Sequence, residues 1–509
     1  MKKITALVLA VILMIGLLTG CGSGNSTTTA SATEKTETEA PTKVVVESLY
    51  FDAVPRDLTK VEEAINAITV PAINVEVELY PLGFMDAATQ VSLMITSGGG
   101  IDLVVCAGRS DFLSLVNNNM LMDLSSLLEN YGSDIKKNAP NAIPGGYVGD
   151  KLYGIPSIEK YGRTYGLIIR KDVVDSVGWT KTENLTMDDM SEFLEKAHAA
   201  NPDINLIQLS GGGNSVANFE MMTPVDYLGA DAACGGMIGI GKGQGESIVN
   251  IFATEEYKAY VKKMREWYLA GYFNADAATQ TESNQSFVTS GASAGYWLQT
   301  ELDMVATQSA GNGVEMIALN TRPQTLVTGD INNQTWSIPY NCKNPEAAMK
   351  LLNMMWGSED LINTIYYGVE GLDYRYMDDN SGRITYLEGE TAQTCGYHQW
   401  FGLYGDTSQR LVWDSLPADF KAQLAAFNNN LTDENRSRYL GYAFNPDVVK
   451  TQYAAVNDVI STYRTSLECG VVDPDKILPE FLQKLEAAGI SEIIAENQKE
   501  LDNWIAANK

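Results

Sequence analysis

The segment Gly291-Ala-Ser293-Ala-Gly295 carries the first chemical reading. It has the G-x-S-x-G pattern of a nucleophile elbow, and Asp373 and His398 follow in the Ser…Asp…His order of exported esterases with an α/β-hydrolase fold. A serine of this kind also needs an oxyanion hole, and no His-Gly-Gly-Gly segment is present to form one. In a chain with 44 glycines the pattern is short enough to arise by chance. Gly236–Lys242 fits G-x-x-x-x-G-K, but residue 243 is Gly where a phosphate loop needs a hydroxyl to hold magnesium. Asp378-Asp-Asn-Ser-Gly382 has its glycine one place early for a calcium loop, and there is no H-E-x-x-H, so no metal or other cofactor is expected. Glycoside hydrolysis asks only for two carboxyl groups at the right separation, and nothing singles out a pair among the 64 acids. Two classes therefore stand side by side: an exported carbohydrate-active hydrolase or esterase, and a binding protein that breaks no bond.

Composition narrows the partners. The chain has 509 residues, 36 Lys+Arg against 64 Asp+Glu, a formal charge of −28 and 45% hydrophobic residues. This length and apolar content call for a core divided over two or more units, because single cores rarely grow past roughly 250–300 residues. The acidic balance repels phosphate backbones and anionic headgroups, which argues against nucleic acid as a partner. The cysteines beyond Cys21 (Cys106, Cys234, Cys342, Cys395 and Cys469) form no C-x-x-C pair. That speaks against a zinc site or a disulfide framework and leaves a single disulfide open.

Any site must be carried by the elements that the hydrophobic patterning sets. Val44–Val46, Val75–Leu79, Leu103–Val105 and Gly166–Ile169 read as strands. Thr59-Lys-Val-Glu62 and Thr186-Met-Asp-Asp189 read as capping boxes opening helices, and Asn344-Pro345 as a helix start. Tyr257, Tyr260, Val261, Met264 and Tyr268 make a helical stripe, and 374–387 a hairpin. From Asn445 the chain is mostly helical, with breaks at Gly470–Pro474 and Gly489. Such β-α alternation predicts parallel sheets covered by helices.

The start of the chain reads as an address. Met1-Lys2-Lys3, the apolar run Ala6–Leu18 and then Leu18-Thr-Gly-Cys21 have the order of a secretory signal over residues 1–20, too short for a comfortable span. Gly22–Pro41 is Gly/Ser/Thr-rich and aperiodic, a tether over 21–42. Leu18–Cys21 also resembles the lipobox of bacterial lipoproteins, which implies that Cys21 is lipidated and that the body stands at the outer face of the cell membrane.

The order of segments in the body resembles the extracellular solute-binding proteins of bacterial ABC importers, in the large lipoprotein branch related to carbohydrate binders. The likeness is carried by Ile101-Asp-Leu-Val-Val105, Leu121-Met-Asp-Leu124, Gly149-Asp-Lys-Leu-Tyr-Gly-Ile-Pro156, Gly166–Asp172, Gly295-Tyr-Trp297 and Trp336-Ser-Ile-Pro339. Gly368–Gly371, Asn445-Pro446 and Gly470–Pro474 are similar to a subgroup with a helical C-terminal extension. The resemblance implies an α/β, two-lobed periplasmic-binding-protein-like (type II-like) fold. Its first lobe would take residues 43–158 and 325–371, its second 159–324 and 372–444, and the extension 445–509, a brace behind one lobe. Crossings are expected near Ser157–Tyr161 and Leu319–Gln324. The family implies a sugar ligand, here an oligosaccharide, held between lobes that close by hinge bending, and delivery to permease subunits driven by a separate ATPase.

Sugar hydroxyls ask for paired donors and acceptors, and the apolar face of a pyranose stacks on an aromatic ring. Open α/β sheets hold ligands beyond the C-terminal ends of their strands. That selects Tyr50 and Phe51 after the first strand, Arg109 after Val105, Glu159, Tyr161 and Arg163 at the crossing, and Trp297, Trp336 and Glu370 near the later crossings. The same aromatics could instead be core or hinge packing, the same acids and Arg163 solvated or joined in an inter-lobe ion pair, and Arg109 simply exposed.

Overall fold

The computed structural model describes residues 40–508 except 51–52, 212–218, 230–231, 242–244, 246, 333, 392–393 and 400–401, and for 109–110 the backbone alone. The signal sequence, the tether up to residue 39, Cys21 and Phe51 lie outside the described residues, as does the Arg109 side chain.

Alternating apolar residues build the first sheet. Strand β1 (Thr42–Tyr50) leads into α1 (Leu58–Ile73), and β2 (Val75–Gly83) returns parallel to β1 in unbroken register from Thr42↔Val75 to Tyr50↔Gly83. The Thr59–Glu62 capping box does not form: the helix begins after Asp57, and Glu62 accepts the Leu79 backbone N–H at 2.7 Å instead. A neighbouring strand with an unpaired donor competes successfully for that carboxylate. Helix α2 (Ala87–Ser97), β3 (Val104–Cys106), α3 (Arg109–Asn117) and the short β4 (Ile155–Pro156) follow.

The chain then passes to a second sheet. Strand β5 (Arg163–Arg170), α4 (Met187–Ala200), β6 (Asn205–Ile207), α5 (Glu255–Leu269), β7 (Ser293–Gln299) and β8 (Met316–Thr325) give the order β8-β5-β7-β6, with β7 parallel to β6 and antiparallel to β5. Here the expected capping box exists in full: Thr186 accepts from Asp189 N at 3.1 Å, and Asp189 accepts from Thr186 N at 2.8 Å. Met190, Phe193, Leu194 and Ala197 are all fully buried beneath it. In α5 the buried stripe ends on Trp267 rather than Tyr268.

Because Leu319 belongs to the second core and β8 runs on to Thr325, the return crossing is 326–334, later than expected. Strand β9 (Thr335–Ser337) then inserts antiparallel between β3 and β4. With the parallel bridge Val46↔Leu103, the first sheet reads β2-β1-β3-β9-β4. Helices α6 (Pro345–Gly357) and α7 (Glu359–Tyr367) cover it. Tyr374, Ile384, Tyr397, Leu403 and Tyr404 pack into this first core, although the sequence placed residues 372–404 with the second lobe. The chain crosses a third time through 405–438, which carries α8 (Phe420–Asn429) and a small apolar cluster of its own around Val412, Phe420 and Leu424.

Helices α9 (Lys450–Glu468), α10 (Pro474–Ala488) and α11 (Ile490–Ala507) do more than brace a finished lobe. Leu467, Phe481, Leu485, Ile490, Ile493 and Leu501 sit in the second core with the residues of β5 to β8. Each such side chain contributes roughly 1.5–3 kcal/mol by leaving water. Two apolar cores joined by three passages of chain make a two-lobed α/β fold.

Candidate functional site

The three crossings are tied into one hinge. Asn428 on α8 accepts from Tyr161 N at 2.8 Å and donates to Glu159 O at 2.9 Å, clamping the first crossing. Gln324 donates to Tyr161 O at 2.7 Å and to Phe427 O at 2.9 Å, linking all three. Leu326 and Ser437 complete a short parallel pairing, with Leu326 N bonded to Asn435 O at 2.9 Å and Ser437 N to Leu326 O at 2.8 Å. Gly162 has φ +87° and lies where a Cβ would come within 2.6 Å of Thr325 O, so the close approach of the first two crossings requires glycine.

Charges surround this hinge. Glu159 pairs with Arg410, whose guanidinium also lies 4.9 Å from the Tyr366 ring centroid. Arg163 binds Gln299 at 2.8 Å, Asp330 at 3.3 Å and Glu301 at 3.4 Å. Burial pushes the Glu301 and Asp330 carboxyls up, and Arg163 holds them back. Burial opposes the charge on Arg163, but Asp330 and Glu301 outweigh it and leave the guanidinium more basic than usual. Arg322 lies 4.7 Å from the Tyr165 ring centroid and donates to Glu220 O at 2.9 Å. Glu159, Tyr161 and Arg163 therefore lie together, as expected, but their described hydrogen bonds are made within the hinge. A cavity of about 240 Å³ beside it is lined by Glu159, Asp303, Arg410, Trp413 and Lys421.

The C-terminal ends of the first sheet are built differently. β1 and β3 pair only around Val46 and Leu103, with Leu103 N bonded to Val45 O at 3.1 Å and Glu47 N to Leu103 O at 3.0 Å. Beyond that point the strands part, and side chains take the freed backbone donors. Glu47 accepts from Val105 N at 2.8 Å, and the Tyr404 hydroxyl meets Leu49 N at 3.1 Å. A cavity of about 670 Å³ opens there between α2 and α3, with Glu47, Leu49, Cys106, Phe84, Ser92 and Asp111 among its walls. Tyr50 closes β1 nearby, its ring 3.9 Å from where a side chain on Gly83 would begin.

The remaining expected residues separate. Trp336 is fully buried, donates to Leu403 O at 2.6 Å and packs 5.3 Å from the Tyr404 ring. It is a core residue of the first lobe, because its strand β9 is paired on both sides, by β3 and β4. Trp297 is 5% exposed and sits in the second core, its indole N–H without an acceptor among the described residues. Glu370 is exposed in a turn bridged to Tyr374 and lines neither of the two cavities. Glu47, Gln324, Arg410 and Asn428 were not read from the sequence. Glu47 alone carried a signal, as a charged residue inside the apolar run Val44-Val-Val-Glu-Ser-Leu49.

The serine reading fails on geometry. Ser293 is fully buried at the start of β7 and donates to Gln208 at 2.7 Å, rather than standing on an exposed strand-to-helix turn. Asp373 accepts from Val369 N, and His398 meets the Cys395 sulfur at 2.8 Å, whereas the Ser293 hydroxyl is given to Gln208. Burial pushes the Cys395 thiol up to about 11 and His398 down to about 4, the opposite of an activated thiolate–imidazolium pair. None of the five cysteines of the described residues is in a disulfide.

Known proteins share this architecture. The family described as bacterial extracellular solute-binding protein matches residues 59–360, and a domain of unknown function (DUF3502) matches 438–506. A carbohydrate ABC transporter substrate-binding protein of Streptococcus pneumoniae is 25% identical, across 100% of this chain and 99% of its own length. The polygalacturonan/rhamnogalacturonan-binding protein YtcQ of Bacillus subtilis is 22% identical over 74% of each chain. The crystal structure of the N-glycan transport solute-binding protein NgtS of Streptococcus pneumoniae overlays with a TM-score of 0.78, at 19% identity, covering 92% of this chain and 100% of that one. On NgtS in complex with Man1GlcNAc and with Man5GlcNAc the TM-score falls to 0.67 and 0.65. A two-lobed body, three tied crossings, a cavity at parallel strand ends and a family match over more than half the length agree: the chain belongs to the bacterial extracellular solute-binding proteins, which are receptors rather than enzymes.

Proposed function

We propose that this chain captures an oligosaccharide between its lobes and presents it to the permease of an ABC importer driven by a separate ATPase. The reading rests above all on the end-to-end likeness to a carbohydrate substrate-binding protein. Ligand would contact both lobes at once and so favour the closed form, a population shift in which the hinge bends. We further propose that Cys21 carries the lipid that holds the body at the outer face of the cell membrane, with residues 21–42 as its tether.

The test is thermal unfolding and tryptophan fluorescence of the full chain in detergent, with Man1GlcNAc, Man5GlcNAc, kestose and an oligogalacturonide, followed by analysis of the recovered sugar. A saturable rise in Tm with one of them and unchanged sugar supports the reading, since ligand selective for the native state stabilises it. Cleavage of any panel sugar removes it. For the anchor, Cys21→Ser releases the protein from membranes if the lipid holds it, and leaves it membrane-bound if it does not.

A further inference from the structure

Glu47 is fully buried, yet its carboxyl has one engaged oxygen and one idle one. Oε2 accepts the Val105 N–H, and Oε1 has no partner among the described residues. A buried polar atom left without a partner is rare and costs free energy comparable to a lost hydrogen bond. Here the residue lines the 670 Å³ cavity at the place where β1 and β3 part. The parting itself is what admits the side chain: with the ladder continued, Val105 N would pair with backbone and no carboxyl would enter the sheet. The gap is held open from the other side by Tyr404, which meets Leu49 N.

Besides Glu47, Cys106 and Asp111, the cavity's polar side chains are the small hydroxyls of Thr89, Ser92, Thr96 and Ser114, set among Leu49, Phe84 and Val105. Its titratable members are Glu47, Cys106 and Asp111, with no cation among the described side chains. Such a surface suits hydroxyls and the apolar face of a ring, and it opposes a carboxylate.

We propose that this cavity is the first-lobe half of the ligand site and that Glu47 is its fixed hydrogen-bonding anchor, selecting a neutral sugar over a uronate. The proposal rests on the reading of the chain as a sugar receptor. Burial pushes the Glu47 carboxyl up to about 8, so at neutral pH it offers an O–H as well as an acceptor, the two things a hydroxyl can use.

The experiment is calorimetric titration of the wild-type chain, E47A, E47Q and S92W with the neutral sugars Man1GlcNAc, Man5GlcNAc and kestose and with an oligogalacturonide, each variant checked by Tm. The expected result is binding of a neutral sugar, weakened about tenfold in E47A, as for the loss of one hydrogen bond, and within about threefold of wild type in E47Q. In S92W, which fills the cavity from α2, the heat of binding should disappear while Tm is kept. Should E47A fail to fold, E47Q and S92W decide. Neutral-sugar binding unchanged in E47A or S92W overturns the anchor and leaves the receptor reading intact. Binding of the oligogalacturonide alone overturns the neutral class. No heat from any sugar with wild type removes both.

Discussion

The strand ends of the two lobes solve the same problem in opposite ways. In the second lobe the ladder stays closed to its end: Thr300 N bonds Thr164 O at 3.0 Å, and Gln299 pairs with Tyr165. The side chains emerging there, Arg163, Glu301, Asp330 and Arg322, bind one another and the hinge. In the first lobe the ladder opens after one bridge, and the gap holds a carboxyl with an idle oxygen and a large cavity. Residue type alone would favour the second region, which is richer in charges. Each region keeps one buried carboxyl oxygen without a partner among the described residues, on Glu47 and on Glu301; what separates them is that Glu301 is paired with Arg163, while Glu47 faces a cavity of about 670 Å³.

The largest effect should come from removing residues 450–507. These helices supply much of the second core and none of the first, so the truncated chain should lose its cooperative unfolding transition in calorimetry. A surviving transition with unchanged sugar affinity would show that they are dispensable to the fold.

Arg163→Ala comes next. It leaves Glu301 and Asp330 buried with only the weaker pull of Lys160 and Arg322, and removing one partner of a buried pair costs roughly 3–5 kcal/mol, less here because Arg163 is 32% exposed. Urea unfolding should show a loss of about 2–3 kcal/mol, with Arg163→Lys recovering part of it. If Arg163→Ala instead weakens sugar binding at full stability, the second-lobe cluster is a ligand surface and the contrast drawn above fails.

A smaller effect is pH-dependent. Glu47 goes from an ordinary value of 4.5 to about 8 on folding, so the native state holds a proton that the unfolded chain releases between those values. Its contribution is present in full below pH 4.5 and is lost as pH rises to about 8, by at most about 1.4 kcal/mol per pH unit. Cys106, Asp111 and Tyr404 lie around it, and all three are neutral or anionic, so no cation among the described side chains of the cavity reverses the sign. Glu47→Gln should flatten the fall in stability between pH 5 and 8, measured by urea unfolding. A slope unchanged in the variant would mean that Glu47 is ionised in the native protein.

How much of this was legible in the sequence follows from what kind of information each feature needs. Local patterns held: the Thr186–Asp189 box, the alternation of Val75, Val77 and Leu79, and the helical breaks at Gly470 and Gly489 all match the structure. The Thr59–Glu62 box failed because the helix starts earlier, after Asp57, and the backbone of the following strand took Glu62. Trp336 looked like a ring for stacking, but its strand returns late between two strands of the first sheet, and its ring is core. The hinge clamp joins Glu159 to Asn428 and Arg410 across some 250 residues or more, a pairing no spacing encodes. Glu47 was visible as a misplaced charge, but its use depends on two strands parting, which only the structure displays.

The central claim is that this two-lobed receptor closes on an intact sugar. Small-angle scattering of the full chain in detergent, with and without the panel sugar that raises its Tm, tests it most directly. The account predicts a smaller radius of gyration at saturation and recovery of the sugar unchanged. An unchanged radius at saturation, or a shortened sugar, would contradict it.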